Sequence, residues 1–502
     1  MFTASDNTTV LVLFVVLGIL GWGYYRARPY GKLGLLSWLQ SVALMSPWLL
    51  FFTLAALGIY LNVVSILFLF VASTGLYIMI GRKLREIANQ DAVSPPEPKP
   101  DAVDSSTSSE ATQHPPSDSV TPVSDPISPL QPVPLSPDDL KIIQGIFGVD
   151  TFFATETIPY QDGAIFKGNL RSDPETAYQQ LSTKLQQRIG DRLRLFLVDN
   201  PDGKPVVIVL PRTNEPATTS ITQKILALIL GVITVGTIFE AAGLLLGFDF
   251  SENINRYPEL LPIAIGIITI LMLHEIAHQV IAKRHNIKFS WPFFIPTIQI
   301  GTFGAFNRFE SVLPNRTVLF DVAFAGPAAG GGLSLLMLIS GLFLSHPGSL
   351  FKVPTEFFQG SVLVGTLSRA ILGSQLHQTT VDIHPLALIG WFGLVITALN
   401  LMPAGQLDGG RIMQAIYGRK IAGRSTLATF IVLAIASLAN PLALYWALVI
   451  LILQRNLERP SLNELTEPDD TRAALGLLVL FLMIATLFPL TPGLARGLGI
   501  GS

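Results

Sequence analysis

Residues 260–282 form an almost wholly apolar run long enough to cross a bilayer, and further runs occur at 10–25, 36–80, 221–246, 318–344, 386–402, 427–453 and 473–489. A chain with this pattern is expected to be a polytopic α-helical membrane protein. Half of its 502 residues are hydrophobic, 14% are charged and the mean hydropathy is +0.51, values that separate it from soluble enzymes. A net charge of −2 suggests no nucleic-acid partner. Cysteine is absent, which excludes disulfides, thiol catalysis and thiolate metal sites and leaves His, Asp and Glu as metal ligands.

Five regions follow. Residues 1–88 read as about three membrane helices, the run 36–80 being too long for one and breaking best near 58–62. Residues 89–135 read as a disordered Pro/Ser-rich linker; 91–137 carries seven acids against one lysine, too little apolar surface to offset the entropy of folding. Residues 136–216 read as a small inserted α/β soluble domain in the order α-β-β-α-β-β. Ser136 is its first N-cap, and Ser172 with Glu175 is spaced as a capping box for its second helix. Residues 217–425 form a membrane core and 426–502 further membrane helices. The run 427–453 reads either as one kinked helix or as a hairpin broken at Asn440 and Pro441. Residues 361–372 are too short to span and are interrupted by Arg369.

The core carries His274-Glu275-Ile276-Ala277-His278 inside the run 260–282. Helical residues four apart lie on one face, so both imidazoles reach one ion, with Glu275 about 100° round the axis beside it. Polar groups at bilayer depth cost several kcal/mol unless they pair or serve a cavity. The bland alternative is a buried polar cluster without metal. Two histidines do not hold a catalytic zinc, and a third protein ligand is needed. Lys283 and Arg284 close the His-Glu helix on the inner side; run 318–344 then leads outward, and 386–402 leads back inward to Arg411, Arg419, Lys420 and Arg424. Asp408 thereby falls near the membrane face where His278 lies. Arg308, Glu310 and Arg316 read as a solvated inner loop. His114, His285, His346, His377 and His384 show no metal spacing, and His384, before Pro385 at the outer start of its helix, is expected to have a structural or interfacial role.

Three motifs, His274-Glu275-x-x-His278, Gly326-Pro327-Ala328-Ala329-Gly330 and Asn400-x-x-Pro403-x-x-x-Leu407-Asp408-Gly409, occur in the order found in the site-2 proteases, the zinc intramembrane metalloproteases of peptidase family M50. The chain resembles that family over roughly 220–420. Residues 145–153 and Gly168-Asn169-Leu170-Arg171 are similar to the domain preceding the core in the EGY branch of chloroplasts and cyanobacteria, and no PDZ domain is recognisable. The resemblance implies a site-2-protease-like core in which His274, His278 and Asp408 bind one Zn2+ per chain and Glu275 is the general base for metal-activated water. Asn400 is implied at the substrate or oxyanion, although a helix-terminating turn explains its residue type as well. The segment Gly326 to Gly330 reads as close helix packing by small residues, with a part in shaping the site as the alternative.

The expected partners are the lipid bilayer and a membrane-spanning or membrane-anchored protein substrate, cleaved near the cytoplasmic face. Residues 291–306, with Pro292, Pro296, Gly301, Gly304 and several β-branched side chains, suit a hairpin beside the site on which an unwound substrate strand could pair. The competing readings are an intramembrane zinc transporter, which has little need of Glu275, and a non-catalytic scaffold. Met1 to Thr9 has no transit-peptide character, so a cyanobacterial plasma or thylakoid membrane is expected ahead of a plastid one.

Overall fold

A computed structural model describes residues 135–500 except 161, 201, 213, 214, 439 and 498, together with 21, 23–25, 27, 28, 31–56, 73, 76, 77, 79–81, 83 and 84. The chain divides into two compact units, residues 1–127 and 128–502. In the first, helix α1 (Gly31–Ala56) is joined to the later segment by the Ser73 hydroxyl, which donates to the Ala43 carbonyl. The expected break at 58–62 and the linker up to 134 lie outside the described residues.

The second unit begins with helix α2 (Pro137–Gln144), capped by Ser136, whose hydroxyl accepts from the Asp139 N–H. Strands β1 (Phe152–Tyr160) and β2 (Gly163–Leu170), helix α3 (Pro174–Ile189) and strands β3 (Leu193–Asp199) and β4 (Pro205–Pro211) follow. The sheet is antiparallel throughout in the order β1-β2-β4-β3. Ala177, Leu181, Leu185 and Ile189 recur at helical spacing and bury α3, and Leu181, Leu185 and Ile189 share one core with Phe152, Phe166, Leu195 and Val207. The N-cap of α3 is Asp173, not Ser172: its carboxylate accepts from Glu175 and Thr176 N–H groups. Pro174 fixes the first helical position and starts the helix one residue later than the Ser172 spacing implies.

Edge strand β3 does not end the sheet. Leu197 donates to the Leu462 carbonyl and accepts from Glu464 N–H at 2.8 and 2.9 Å, while Leu462 and Asn463 donate to the Leu313 and Pro314 carbonyls. Residues 462–464 are thus stitched on one side to the α/β sheet and on the other to the turn that opens helix α6 (Arg316–Gly326). Such a cover also removes the exposed edge that would otherwise invite aggregation.

Around the site stand α4 (Ile221–Leu245), α5 (Tyr257–Arg284), the hairpin β5 (Phe293–Thr297) and β6 (Gly301–Phe306), and α6, which continues through a π-helical turn, Pro327–Gly331, into α7 (Gly332–Leu344). Strands β7 (Phe351–Pro354) and β8 (Thr380–Ile383) pair around helix α8 (Val362–Leu372). The remaining helices are α9 (Pro385–Asn400), α10 (Asp408–Ala436), α11 (Pro441–Val449), α12 (Asp470–Leu487) and α13 (Pro492–Gly497). Among the described residues four helices are long and apolar enough to cross a membrane: Ile221–Leu245, Ile254–Arg284, Arg316–Leu344 and Asp470–Leu487. Run 386–402 is shorter than expected, because α9 ends at Asn400 and Asp408 opens the next helix. Run 427–453 divides into two helices, with Asn440 capping α11 by accepting from Leu442 N–H. His384 caps α9 by accepting from Leu386 N–H.

Arg316 departs from expectation. It is 5% exposed and its guanidinium donates to the Ala415 and Ile416 carbonyls at 2.7 and 2.6 Å, satisfying the last turn before the break at Gly418; carbonyls that escape helical pairing draw the arginine inward. Glu310 is likewise engaged, accepting from Thr219 N–H at 2.9 Å.

Helices α7 and α9 pack closely. A methyl on Gly390 would stand 2.3 Å from the Leu338 nitrogen, and one on Gly341 2.1 Å from that of Ala387, so only hydrogen fits at either crossing point. Gly390→Leu is expected to destabilise the full chain by at least about 1–3 kcal/mol, read as a lower Tm in detergent against a Gly332→Leu control, which meets open space.

Candidate metal centre

Helix α5 turns two faces to different surroundings. Met272, Ile276 and Val280 are exposed apolar side chains, whereas His274, Glu275 and His278 are buried at 7, 5 and 1% exposure. The four-residue spacing stacks the imidazoles, with ring centroids 4.9 Å apart. The His278 Nδ1–H donates to the Val322 carbonyl at 2.7 Å, which turns its Nε2 lone pair toward His274.

Asp408 is brought in by a compact turn. Gly405 has φ +49° and its nitrogen donates to the Thr426 hydroxyl, and Gln406 N–H reaches the Gln454 carbonyl. A methyl on Gly409 would lie 1.8 Å from the Leu401 carbonyl, so the turn closes only over glycine. Asp408 is then the first residue of α10, where a carboxylate is favoured by the helix dipole.

The three donor atoms form a triangle. His274 Nε2 is 3.2 Å from Asp408 Oδ2 and 3.2 Å from His278 Nε2, and His278 Nε2 is 3.4 Å from Asp408 Oδ2. Bonds of about 2.0–2.1 Å at tetrahedral angles place zinc's donor atoms about 3.3 Å apart. The observed edges match that figure. The donor set therefore fits zinc, with a fourth position left for water or substrate.

The Gly326 to Gly330 segment does more than fill space. A Cβ on Gly326 would fall 2.2 Å from His278 Nε2 and 2.6 Å from His274 Nε2, and one on Gly330 would fall 2.8 Å from His274 Cβ. The packing expected from small residues is present, and its partner is the ligand-bearing face of α5. The π-helical turn supplies the extra residue that carries the chain past the two imidazoles.

Asn400 lies at the end of α9 and donates to the Phe303 and Ile396 carbonyls at 3.2 and 3.0 Å. Gly304, at φ +96°, gives it room: a Cβ there would stand 2.2 Å from Asn400 Nδ2. Sequence reasoning missed Asn307, whose side-chain amide donates to Glu275 Oε2 at 2.7 Å. No spacing rule could have found it, since 32 residues separate the pair. Ile298 and Ile300 fall in the 298–300 turn of the hairpin, outside both strands.

Fold and site together define a metallopeptidase-type centre, two histidines and an aspartate beside a buried glutamate, on helices apolar enough for a membrane. Residues 262–439 match Peptidase family M50, and residues 141–216 match the EGY3 middle domain. The chain is 39% identical to the protein called probable zinc metalloprotease EGY1, chloroplastic, of Arabidopsis thaliana, over 74% of this chain and 75% of that one. It is 36% identical to the rice protein of the same name, over 74% and 71%, and 33% identical to the Arabidopsis protein called probable zinc metallopeptidase EGY3, over 71% and 66%. No solved structure matches. The chain belongs to peptidase family M50, in its EGY branch of site-2 proteases, and is a metalloendopeptidase. These relatives are named chloroplastic, so the cyanobacterial location expected from the N-terminus finds no support among them.

If the glycine at 326 exists to admit the histidines, Gly326→Ala should lower bound zinc to well under half of the wild-type stoichiometry by elemental analysis while far-ultraviolet circular dichroism stays unchanged. Wild-type zinc content in this variant would refute the account.

Proposed function

We propose that the chain is a zinc-dependent intramembrane endopeptidase that hydrolyses peptide bonds of membrane-embedded proteins near the membrane face at which Lys283 and Arg284 end the His-Glu helix. The observation that carries this reading is the donor triangle of His274, His278 and Asp408, at zinc spacing, with buried Glu275 next to a ligand on the same helix. Zinc held there supplies Lewis-acid polarisation and a lowered water pKa. Glu275 accepts the proton of the attacking water and returns it to the leaving amine, so no acyl-enzyme is required. Asn307 holds one oxygen of that carboxylate in place. Both amide hydrogens of Asn400 are committed to backbone carbonyls, which supports a role in fixing β6 against α9 over direct contact with the reacting carbonyl.

A transmembrane helix must unwind before its peptide bonds can be attacked. The β5–β6 hairpin, fixed to α9 by Asn400, is the element we assign to hold the extended segment. A proline substitution that blocks strand pairing would test that role within β5 or β6, since 298–300 form the turn outside both strands. Burial of the ligands among apolar helices excludes bulk water from competing hydrogen bonds and strengthens electrostatics at the site. A plastid membrane is the location that the relatives' names support.

Glu275→Gln is expected to keep wild-type zinc content and to lower kcat on a model transmembrane substrate by at least about 10²-fold. Retained cleavage in the purified variant would refute the assigned base. Chelation with 1,10-phenanthroline should stop cleavage by the wild type, with recovery on adding zinc; unaffected cleavage would refute the metal's part.

A further inference from the structure

Four residues from four separated segments, Glu458, Arg411, Asn307 and Glu275, form a buried line that ends on Glu275. Asn307 Nδ2 donates to Glu275 Oε2 at 2.7 Å; the Asn307 carbonyl accepts from Arg411 Nη2 at 2.6 Å; Arg411 pairs with Glu458 Oε2 at 3.1 Å. All are buried, with Arg411 at 2% and Asn307 at 5% exposure. Arg411 also lies over the Phe309 ring, 4.9 Å from its centroid. Asn307 stands just past β6, at the point where 288–290 and 308–310 pair, so its backbone is fixed from both sides.

We infer that Asn307, clamped by Arg411 and Glu458, is a positioning residue for the carboxylate of Glu275. Resting on the base assignment above, it adds a residue that lies outside the three motifs. A carboxylate acting on water must keep one oxygen directed at it through the whole reaction. A hydrogen bond from a neutral amide fixes the other oxygen without supplying a competing charge. Asn307 Oδ1 is buried with no hydrogen-bond partner among the described residues. A side chain kept only for packing would not carry a carbonyl left unpaired, a feature costing about 1–3 kcal/mol.

The test compares full-length wild type, Asn307→Ala, Asn307→Asp, Arg411→Met and Glu275→Gln, reading zinc content, Tm, and kcat and KM separately on one transmembrane substrate. The expected result is unchanged zinc, KM within about twofold, and kcat lowered about 10-fold or more in Asn307→Ala. Asn307→Asp should be slower still, because it sets an acceptor against Glu275. A purely structural role predicts the opposite order, the near-isosteric variant being milder. Arg411→Met should shift kcat in the same direction by less. The inference is overturned if either Asn307 variant loses zinc, if kcat stays within twofold, or if Asn307→Asp is the faster of the two. Activity in Glu275→Gln would overturn the base assignment, separately from the outcome at Asn307.

Discussion

Everything around the centre depends on how closely the π-helical turn, Pro327–Gly331, and the end of α6 lie on the polar face of α5. Two imidazoles and a carboxylate in an apolar bundle are stable only if their polar atoms are engaged. The Val322 carbonyl, four residues before Gly326, sets the His278 tautomer. Gly326 and Gly330 then leave space for the rings to face Asp408 rather than a side chain. One contact surface thus sets ring orientation, donor spacing and exclusion of lipid. The π turn is what lets a continuous apolar helix pass so near, since a regular α-helix would carry one residue fewer across the same span.

Asp408 meets that surface from another direction. The turn from Leu401 to Leu407 is built by backbone, not by side-chain packing, so Gly405, Gly409 and Gly410 are needed where carbonyls of the same turn and of Gln454 come nearest. The Gln454 carbonyl also receives Gln406 N–H, and Gln454 closes the helical stretch Pro441–Gln454. The position of the third donor is therefore set in part by a helix that contributes nothing chemical to the site. Members of the long motif thus do different work: Asn400 bonds to the hairpin backbone, Asp408 supplies the third donor, and Gly409 admits the Leu401 carbonyl.

Much of this was legible because it is local or periodic. Four-residue spacing puts His274 and His278 on one face of α5, long apolar runs mark where helices form, and the expected third donor Asp408 lies within 3.4 Å of both imidazoles. What was not legible is non-local. Arg316 looks like a solvated loop charge in sequence, but the carbonyls of Ala415 and Ile416, about a hundred positions away, draw it inside. Asn307 has no neighbour in sequence to mark it. Ser172 lost the cap of α3 to Asp173 through Pro174, a local competition that spacing alone does not rank. Asn400 is conspicuous in the motif, yet its amide is committed to the hairpin backbone.

The segment carrying Glu458 links two parts that the sequence presents as separate. The Glu458 backbone carbonyl receives Gln414 Nε2 at 3.2 Å and the Arg419 guanidinium, while its carboxylate pairs with Arg411. A few residues on, Ser461 is held by Glu464, Leu465 joins the core of the α/β sheet, and 462–464 pair with β3. A buried Arg–Glu pair gains little net stability over an apolar replacement, and removing one partner is costly. Its value here lies in geometry: one short segment satisfies the cation that fixes Asn307 and also closes the edge of the soluble sheet. Displacing that sheet would pull directly on 462–464, within a few residues of Glu458. A continuous series of contacts thus runs from the α/β sheet through 462–464, along the chain to Glu458, and on through Arg411 and Asn307 to Glu275.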